Sequence, residues 1–442
     1  MAKANALRFQ PLYLLASLFV LYTYLFVDRQ IPALLVEPLK TDFLISDTEV
    51  SLLHGLAFAV PLGLFGLVAG RLADTQRRVM VIAVGLSICS FMTIASGFIS
   101  SYAGLLVCRV GVGIGQAAFT PAAYSLIADS FDRKRLGLAL GLFGVGPYLG
   151  TGGAYVVGGL AVQQSHAVAQ LTGWAGLRSW QLAFLLVGVA GAVLALWSWR
   201  LNEAPRRVDH AAITSSPSGR AVIAYFRENL AAFASLKLSA AFASMATYAI
   251  VAWYPSHLIR GFGWSAADAA AILGPLLAVT GALGVTLGGW VADEAVKRRP
   301  HGRSLVMAIC SGLAVPLALA APLIQPGAGL VLLALAFFLA TATIGINPSA
   351  TMAMMPGRMR GVATAIGVLV VNLLGLGLGP TTVAIFSDSL LQGPAHLSIA
   401  LAIALPMMLT LSALCAGAGF QAYARSVARF EVEPSRQDVT KP

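Results

Sequence analysis

The chain contains 442 residues, of which 58% are hydrophobic and only 11% are charged, and its net charge is +11. Ordinary soluble domains carry about 25% charged residues, so this composition excludes a soluble globular domain and, equally, an intrinsically disordered chain. We therefore expect lipid to be the solvent of this chain, and the excess positive charge has to be interpreted by its position relative to a membrane.

Twelve apolar segments are predicted to cross the membrane as helices, since one crossing needs about 20 residues. In chain order they lie at residues 11–39, 48–71, 79–99, 101–130, 136–162, 180–201, 232–260, 268–292, 304–324, 328–353, 360–388 and 395–423. The predicted fold is an all-α polytopic membrane protein with two six-helix bundles. Its predicted parts are a first bundle, a linker with a short interfacial helix, a second bundle and a cytoplasmic tail, at residues 1–201, 202–231, 232–424 and 425–442.

The lysines and arginines predict the orientation. Of the 29, 24 lie on the side of the two termini, two lie within spans, and only Lys40, Arg178 and Arg260 lie on the opposite side. By the positive-inside rule, both termini are predicted to be cytoplasmic, and we expect a bacterial inner (plasma) membrane. This distribution explains the basic balance without a nucleic-acid partner.

Ionisable residues inside spans are few, and they cost about 2.5–3.5 kcal/mol each to insert. The first half holds Asp28 and Arg29 in span 1, His54 in span 2 and Arg109 in span 4, with Gln116 two helical turns beyond Arg109. Asp28 and Arg109 are predicted at a similar depth, about 12–16 Å below the outer surface. We predict that Asp28 accepts a proton and that Arg109 is both its switchable partner and an anion anchor; a fixed structural ion pair is the alternative.

Two loop sequences of the first half return in the second. Gly-x-x-Ala-Asp with a basic cluster occurs at residues 70–78 and again, 219 residues later, at 289–299. The basic turn at residues 133–137 has an equivalent at 358–361. Two echoes in equivalent loops indicate duplicated, pseudo-symmetric halves, the plan of a transporter that works by rocking.

Possible cavity residues of the second half are aromatic or neutral polar: Tyr248, Trp253, Tyr254, Asn347, Thr351 and Asn372. Such walls suit an amphipathic ligand whose anionic head lies at Arg109. The complete set of predicted substrate-binding residues is Arg29, His54, Arg109, Gln116, Tyr124, Tyr248, Trp253, Tyr254, Asn347 and Asn372.

The twelve spans and the Gly-x-x-Ala-Asp-basic loops resemble the major facilitator superfamily over essentially the whole chain, although Arg77 stands where the motif usually has its second Gly. The resemblance implies alternating access, with loop ion pairs that lock the cytoplasmic side. The gating residues that it implies are Asp74, Arg77, Arg78, Asp129, Arg133, Arg135, Asp293 and Arg298.

Within that superfamily, Tyr24-Leu-Phe-Val-Asp28-Arg29 and the run from Arg109 to Asp129 resemble spinster transporters, as do parts of spans 7 and 11. The resemblance implies a lysophospholipid or sphingoid-lipid substrate and, through Asp28 and Arg109, proton coupling. Gln116 departs from the pattern, because spinster relatives usually have Glu there and Gln carries no proton. Coupling would then rest on Asp28 alone, or be weakened or absent.

The alternative is a proton symporter of small organic anions such as sugar acids, a family that shares the Asp-Arg and Arg109 patterns. An enzyme is not expected, since the chain has no phosphate-binding loop, no His-Glu-x-x-His and no paired deep carboxylates. We predict no catalytic residue, cofactor or metal site. The expected partners are a small-molecule amphipathic or anionic substrate, membrane lipids and, with coupling, protons; the protein is expected to be a monomer.

Overall fold

The structure is a computed structural model that describes residues 2–172, 176–203, 219–355, 359–390 and 396–437. Within these ranges the chain consists of helices joined by short turns, without a strand. The predicted all-α architecture is therefore confirmed.

The first six spans are more interrupted than the hydropathy pattern predicts, and span 5 is longer. Span 2 is broken at Gly55, and span 4 is divided at Ala118. Spans 1 to 6 are, in order, Ala2–Gln30, Asp47–His54 with Leu56–Thr75, Arg78–Ser96, Tyr102–Ala117 with Phe119–Ser130, Arg133–Thr172, and Ser179–Ser198.

In the second half, span 11 stands out because its turns widen to π-helix at Asn372–Leu378 and Phe386–Leu390. Spans 7 to 12 are, in order, Leu230–Phe262, Ala266–Arg298, Gly302–Ala320, Pro326–Ala353, Arg360–Val371 continuing to Leu390, and Leu397–Ala418. Two further helices, Gly219–Glu228 before span 7 and Phe420–Gln437 after span 12, have an apolar and a polar face, as helices at a membrane interface do.

Eleven of these helical segments in the described residues are long and apolar enough to cross a membrane. The predicted fifth span lies within the 40-residue helix Arg133–Thr172. Together they account for the twelve predicted spans of an integral membrane protein.

The predicted first span differs from the structure at its outer end. The α-helix stops at Gln30 instead of residue 39, and a tight turn, Ile31–Leu34, follows. Pro32 explains the break, because its ring disfavours helical backbone at the preceding residue and it has no N–H to donate. The chain then forms a separate short helix, Val36–Phe43, that ends at Leu44 with a φ of 52°.

The chain separates into two compact units that do not follow the predicted bundle boundary. The first comprises Met1–Arg207, Ala249–Val279 and Pro380–Ala400; the second comprises Val208–Tyr248, Thr280–Gly379 and Leu401–Pro442. Parts of spans 7, 8 and 11 thus pack with the first six spans. The two duplicated bundles stay a prediction.

Close helix crossings in the first unit depend on glycine. A Cβ on Gly115 of span 4 would lie 2.5 Å from the carbonyl oxygen of Gly85 in span 3, and a Cβ on Gly188 of span 6 would lie 2.7 Å from the backbone nitrogen of Ile94. Both obstacles are backbone atoms, which cannot rotate away. Small residues at such crossings let membrane helices approach closely.

Gly115→Ala should therefore lower stability, by about 1–3 kcal/mol as for other overpacked cores. Gly141→Ala in span 5 is the matched control, because a Cβ there meets nothing within 4 Å. Thermal unfolding of the purified protein in detergent measures both. Equal melting temperatures for the two variants would contradict the packing argument.

Candidate functional site

Asp28 is completely buried, and three side chains donate hydrogen bonds to its carboxylate. Thr93 Oγ1 lies 2.6 Å from Oδ1, while Gln116 Nε2 and Cys89 Sγ lie 3.1 and 3.2 Å from Oδ2. Cys89 and Thr93 are one helical turn apart on span 3, so they present their donors on one face. The site of Asp28 is thus built by spans 1, 3 and 4.

Gln116 links Asp28 to Arg29 through one neutral amide. Its nitrogen donates to the Asp28 carboxylate and to the carbonyl oxygen of Leu25, and its oxygen accepts a 3.1 Å hydrogen bond from Arg29 Nη2. An ionised carboxylate only accepts and a guanidinium only donates, so these neighbours determine the orientation of the amide. The predicted positions 28, 29 and 116 are brought together.

Arg29 is also enclosed by aromatic rings. Its guanidinium carbon lies 4.3 Å from the ring centre of Phe26 and 4.9 Å from that of Phe58. Such cation–π contacts partly replace the water that a buried cation loses. Arg29 is therefore held on both sides, by the rings and by the amide oxygen of Gln116.

Arg109 does not form the predicted ion pair with the carboxylate of Asp28. Instead Nη1 donates to the backbone carbonyl oxygen of Asp28 at 3.3 Å, and the guanidinium carbon lies 4.8 Å from the ring centre of Phe184. Nε and Nη2 are buried and have no hydrogen-bond partner among the described residues. Because an unpaired buried donor is costly, these two N–H groups are the part of the site most suited to receive an acceptor from a ligand.

His54 lies close enough to Arg109 and Arg29 to be influenced by both charges. Its ring is buried, and in the described part of the chain neither ring nitrogen has a partner. The same is true of Gln30 Oε1. Spans 1, 2 and 4 therefore contribute several polar atoms that the described residues leave unsatisfied.

The other predicted substrate residues do not gather at this site. Trp253 is buried with its indole N–H bonded to the carbonyl oxygen of Pro380 at 2.8 Å, and Tyr254 packs against the ring of His257. Tyr124 is 43% exposed, with its ring edge on Phe143. The last two, Tyr248 and Asn372, are partly buried.

Sequence reasoning missed Lys237, which it counted with the loop cations. Lys237 is 5% exposed, and its Nζ donates to Asn347 Oδ1 and Thr351 Oγ1, both at 2.6 Å. Among the residues described, no carboxylate pairs with it. The sequence shows that Lys237 lies seven residues into span 7, but its contact with Asn347 and Thr351 on span 10 follows only from the packing of the helices.

Three of the six predicted gating residues of the first half, Arg77, Arg78 and Asp129, form one cluster. The buried guanidinium of Arg78 pairs with Asp129 and, at 3.1 Å, with Glu203, which the sequence did not single out. Arg77 is largely exposed and lies 3.8 Å from the same Glu203.

The remaining gating candidates lie elsewhere. Asp293 pairs with Arg303 at 2.9 Å, a residue that was not among the predicted gating residues. Three predicted residues are exposed, namely Asp74, Arg135 and Arg298, and the side chain of Arg133 lies outside the description.

At the predicted outer side, Arg260 is partly buried and links span 7 to the start of span 2. Its Nη1 and Nη2 bind the buried carboxylate of Asp47 at 2.8 and 2.9 Å, and Nε binds Glu37 at 2.7 Å. Lys40 also pairs with Asp47. The third predicted outer cation, Arg178, pairs with Asp42 at 3.5 Å.

Span 11 is also hydrogen-bonded to the start of span 2. The Asp388 carboxylate accepts from the backbone N–H and the hydroxyl of Thr48, at 2.7 and 2.8 Å. We call the six residues Glu37, Lys40, Asp47, Thr48, Arg260 and Asp388 the outer latch.

Three comparisons place the chain among known proteins. The model of the Major Facilitator Superfamily matches residues 15–380. An MFS-type efflux pump of Mycolicibacterium smegmatis is 27% identical, with 91% of each chain covered, and protein spinster homolog 1 of Xenopus laevis is 26% identical over 83% of this chain and 71% of its own length. A crystal structure of a bacterial homologue of the human lysosomal transporter Spinster, inward-facing and occupied, superposes with a TM-score of 0.78 at 26% identity, covering 95% of this chain and 97% of that one.

Gln116→Glu should make stability depend on pH. Two carboxylates would face each other across the present 3.1 Å contact, so the folded pair would retain a proton that both groups lose on unfolding at neutral pH. Because the folded state then binds more protons, the free energy of unfolding should fall as pH rises from about 5 to about 8, by up to about 1.4 kcal/mol per unit. Thermal unfolding across this range measures it. Gln116→Met is the control, and a slope equal to that of the control would refute the prediction.

Arg260→Gln should open the outer latch, because it leaves the buried Asp47 with a single cation. The measurement is the labelling rate of Ser51→Cys, in a background with the native cysteines replaced by Ala, with a membrane-impermeant thiol reagent. Ser51 is buried beside Thr381 at the latch, so we expect labelling to accelerate about tenfold or more. Arg178→Gln, an outer cation outside the latch, should leave the rate unchanged; acceleration by both variants would point to general loosening.

Proposed function

This chain belongs to the Major Facilitator Superfamily, so it is a membrane transporter, and we propose that it moves an amphipathic, anionic small molecule by rocker-switch alternating access. The observation that carries the substrate proposal is Arg109, a buried cation with two N–H groups that no described residue accepts. A phosphate or carboxylate head group supplies the missing acceptors and the missing charge. The anion anchor proposed from the sequence is retained, but it acts without an ion pair to Asp28.

The surroundings of the two arginines favour an amphipathic substrate over a fully polar one. Phe184 covers Arg109, and Phe26 and Phe58 cover Arg29. Apolar chains gain by contact with such rings, whereas the hydroxyl groups of a sugar acid would need further polar partners. Symport of a small organic anion is the alternative, because the same guanidinium would hold its carboxylate.

Gln116 supports a particular account of proton coupling. Its amide donates to Asp28 permanently, whereas a Glu at this position could donate only when protonated. Position 116 thus needs no proton to bind Asp28, and we assign any proton coupling in this transporter to Asp28 alone. Its three donors keep the carboxylate hydrogen-bonded while Arg109 is free to hold the substrate.

Transport into proteoliposomes tests the proposal, with a panel of lysophospholipids, sphingoid phosphates and sugar acids, each with and without a pH gradient. Asp28→Asn should reduce flux at least about tenfold, since an amide cannot accept all three hydrogen bonds. Asp268→Asn, an exposed carboxylate that bonds Ser265, is the matched control and should transport normally. Normal flux in folded Asp28→Asn would remove Asp28 from the mechanism.

Arg109→Gln in the same assay separates substrate binding from coupling. It should raise the substrate concentration needed for half-maximal flux more for the anionic lipid than for its uncharged analogue. Preference of the wild-type protein for sugar acids would favour the organic-anion alternative.

A further inference from the structure

A basic cavity lies in the second unit, at the end of span 8 and far along the chain from Arg109. It has a volume of about 450 Å³. Four cations and four apolar residues line it: Lys297, Arg298, Arg299 and Arg303, with Val296, Pro300, Ala353 and Val427. The positive-inside rule accounts for these cations as determinants of orientation, and Arg298 is also a predicted gating residue. Cations that only determine the orientation of the chain in the membrane need not line a cavity together with apolar residues.

Its positive charge is only partly neutralised. Lys297 pairs with Glu294 at 2.6 Å, and Arg303 pairs with Asp293 at 2.9 Å. Arg298 and Arg299 form no ion pair with any side chain that the structure describes, whereas Arg303 also contacts Tyr423. The lining thus presents an excess of guanidinium groups, whose planar N–H forks match phosphate oxygens.

The backbone around the cavity is closely packed. The turn after span 8 is closed by the Gly302 N–H, which donates to the carbonyl oxygen of Arg299 at 2.9 Å. A Cβ on Gly302 would lie 2.5 Å from the carbonyl carbon of Ala295, so the turn requires glycine to approach span 8 this closely. His301 stacks on Phe420, 5.5 Å between ring centres, which ties the turn to the helix Phe420–Gln437.

The depth of the cavity is that of lipid head groups. The helix Phe420–Gln437, which contributes Val427 to the lining, has segregated apolar and polar faces, the pattern of a helix in the membrane interface. Trp290 is 68% exposed and lies two turns before Lys297 on span 8, and exposed Trp residues mark the same interface. These two features indicate that the cations of the cavity lie near the membrane interface.

We propose that this cavity binds a phosphate group, the phosphodiester of an anionic phospholipid head group, at the predicted cytoplasmic face. Arg298 and Arg299 supply the principal charge, Arg303 adds a third guanidinium group, and Val296 and Val427 contact the start of the acyl chains. The site is separate from the proposed transport site and does not depend on it. Free inorganic phosphate shares the recognised chemistry, so the test distinguishes the two sources.

The test uses the purified full-length protein in a nonionic detergent, titrated with phosphatidylglycerol or phosphatidylcholine and followed by native mass spectrometry. The wild-type protein should prefer phosphatidylglycerol. Arg298→Gln with Arg299→Gln should weaken its binding at least about tenfold, while the control Arg71→Gln with Arg200→Gln, which removes two exposed cations of the first half, should not. Equal weakening by both pairs, or by neither, would overturn the site.

A second variant retains all four cations but fills the volume of the cavity. Val427→Trp should fill the cavity and weaken phosphatidylglycerol binding without altering any cation; unchanged binding would contradict the proposed position. Adding millimolar inorganic phosphate separates the sources. Displacement of phosphatidylglycerol by free phosphate would overturn the lipid as the specific occupant, whereas retention of the lipid supports it.

Discussion

A carboxylate enclosed by helices in lipid has to obtain from the protein the hydrogen bonds that water would supply. Asp28 obtains them from Thr93, Cys89 and Gln116, on two neighbouring spans. This requirement fixes how spans 1, 3 and 4 are rotated about their axes, since all three donors have to face one point. The glycines that bring spans 3 and 4 together, Gly85 and Gly115, serve the same arrangement.

Solvation of Asp28 by neutral donors changes the role of Arg109. With its carboxylate already satisfied, Asp28 offers Arg109 only a backbone carbonyl oxygen, and the guanidinium keeps two donors for another acceptor. An ion pair between the two would have used that capacity. Because the neutral amide of Gln116 helps to satisfy Asp28, the charge of Arg109, two helical turns away on span 4, stays available for another acceptor.

The sequence predicted those features of the fold and the site that depend on a single helix. Hydropathy located the twelve spans, and the cost of charge in lipid identified Asp28, Arg29, His54 and Arg109 as exceptional residues. It did not predict which side chains meet, because small rotations between helices decide whether Asp28 faces Arg109 or Gln116. Lys237 was missed for a related reason: a lysine near a helix end normally extends to the interface, and only the packing of span 10 shows that it turns inward.

The charged groups of the outer latch predict that its closure depends on the ionic strength of the surrounding solution. Glu37 and Asp47 oppose Lys40 and Arg260, so these four groups are electrically neutral when closed and become separated ions when the spans part. Dissolved ions stabilise separated charges by screening over about 8 Å at 0.15 M, and they affect a buried pair much less. We therefore expect the ionic strength at the predicted outer face to shift the balance between closed and open forms of the latch, with the closed form favoured at low ionic strength.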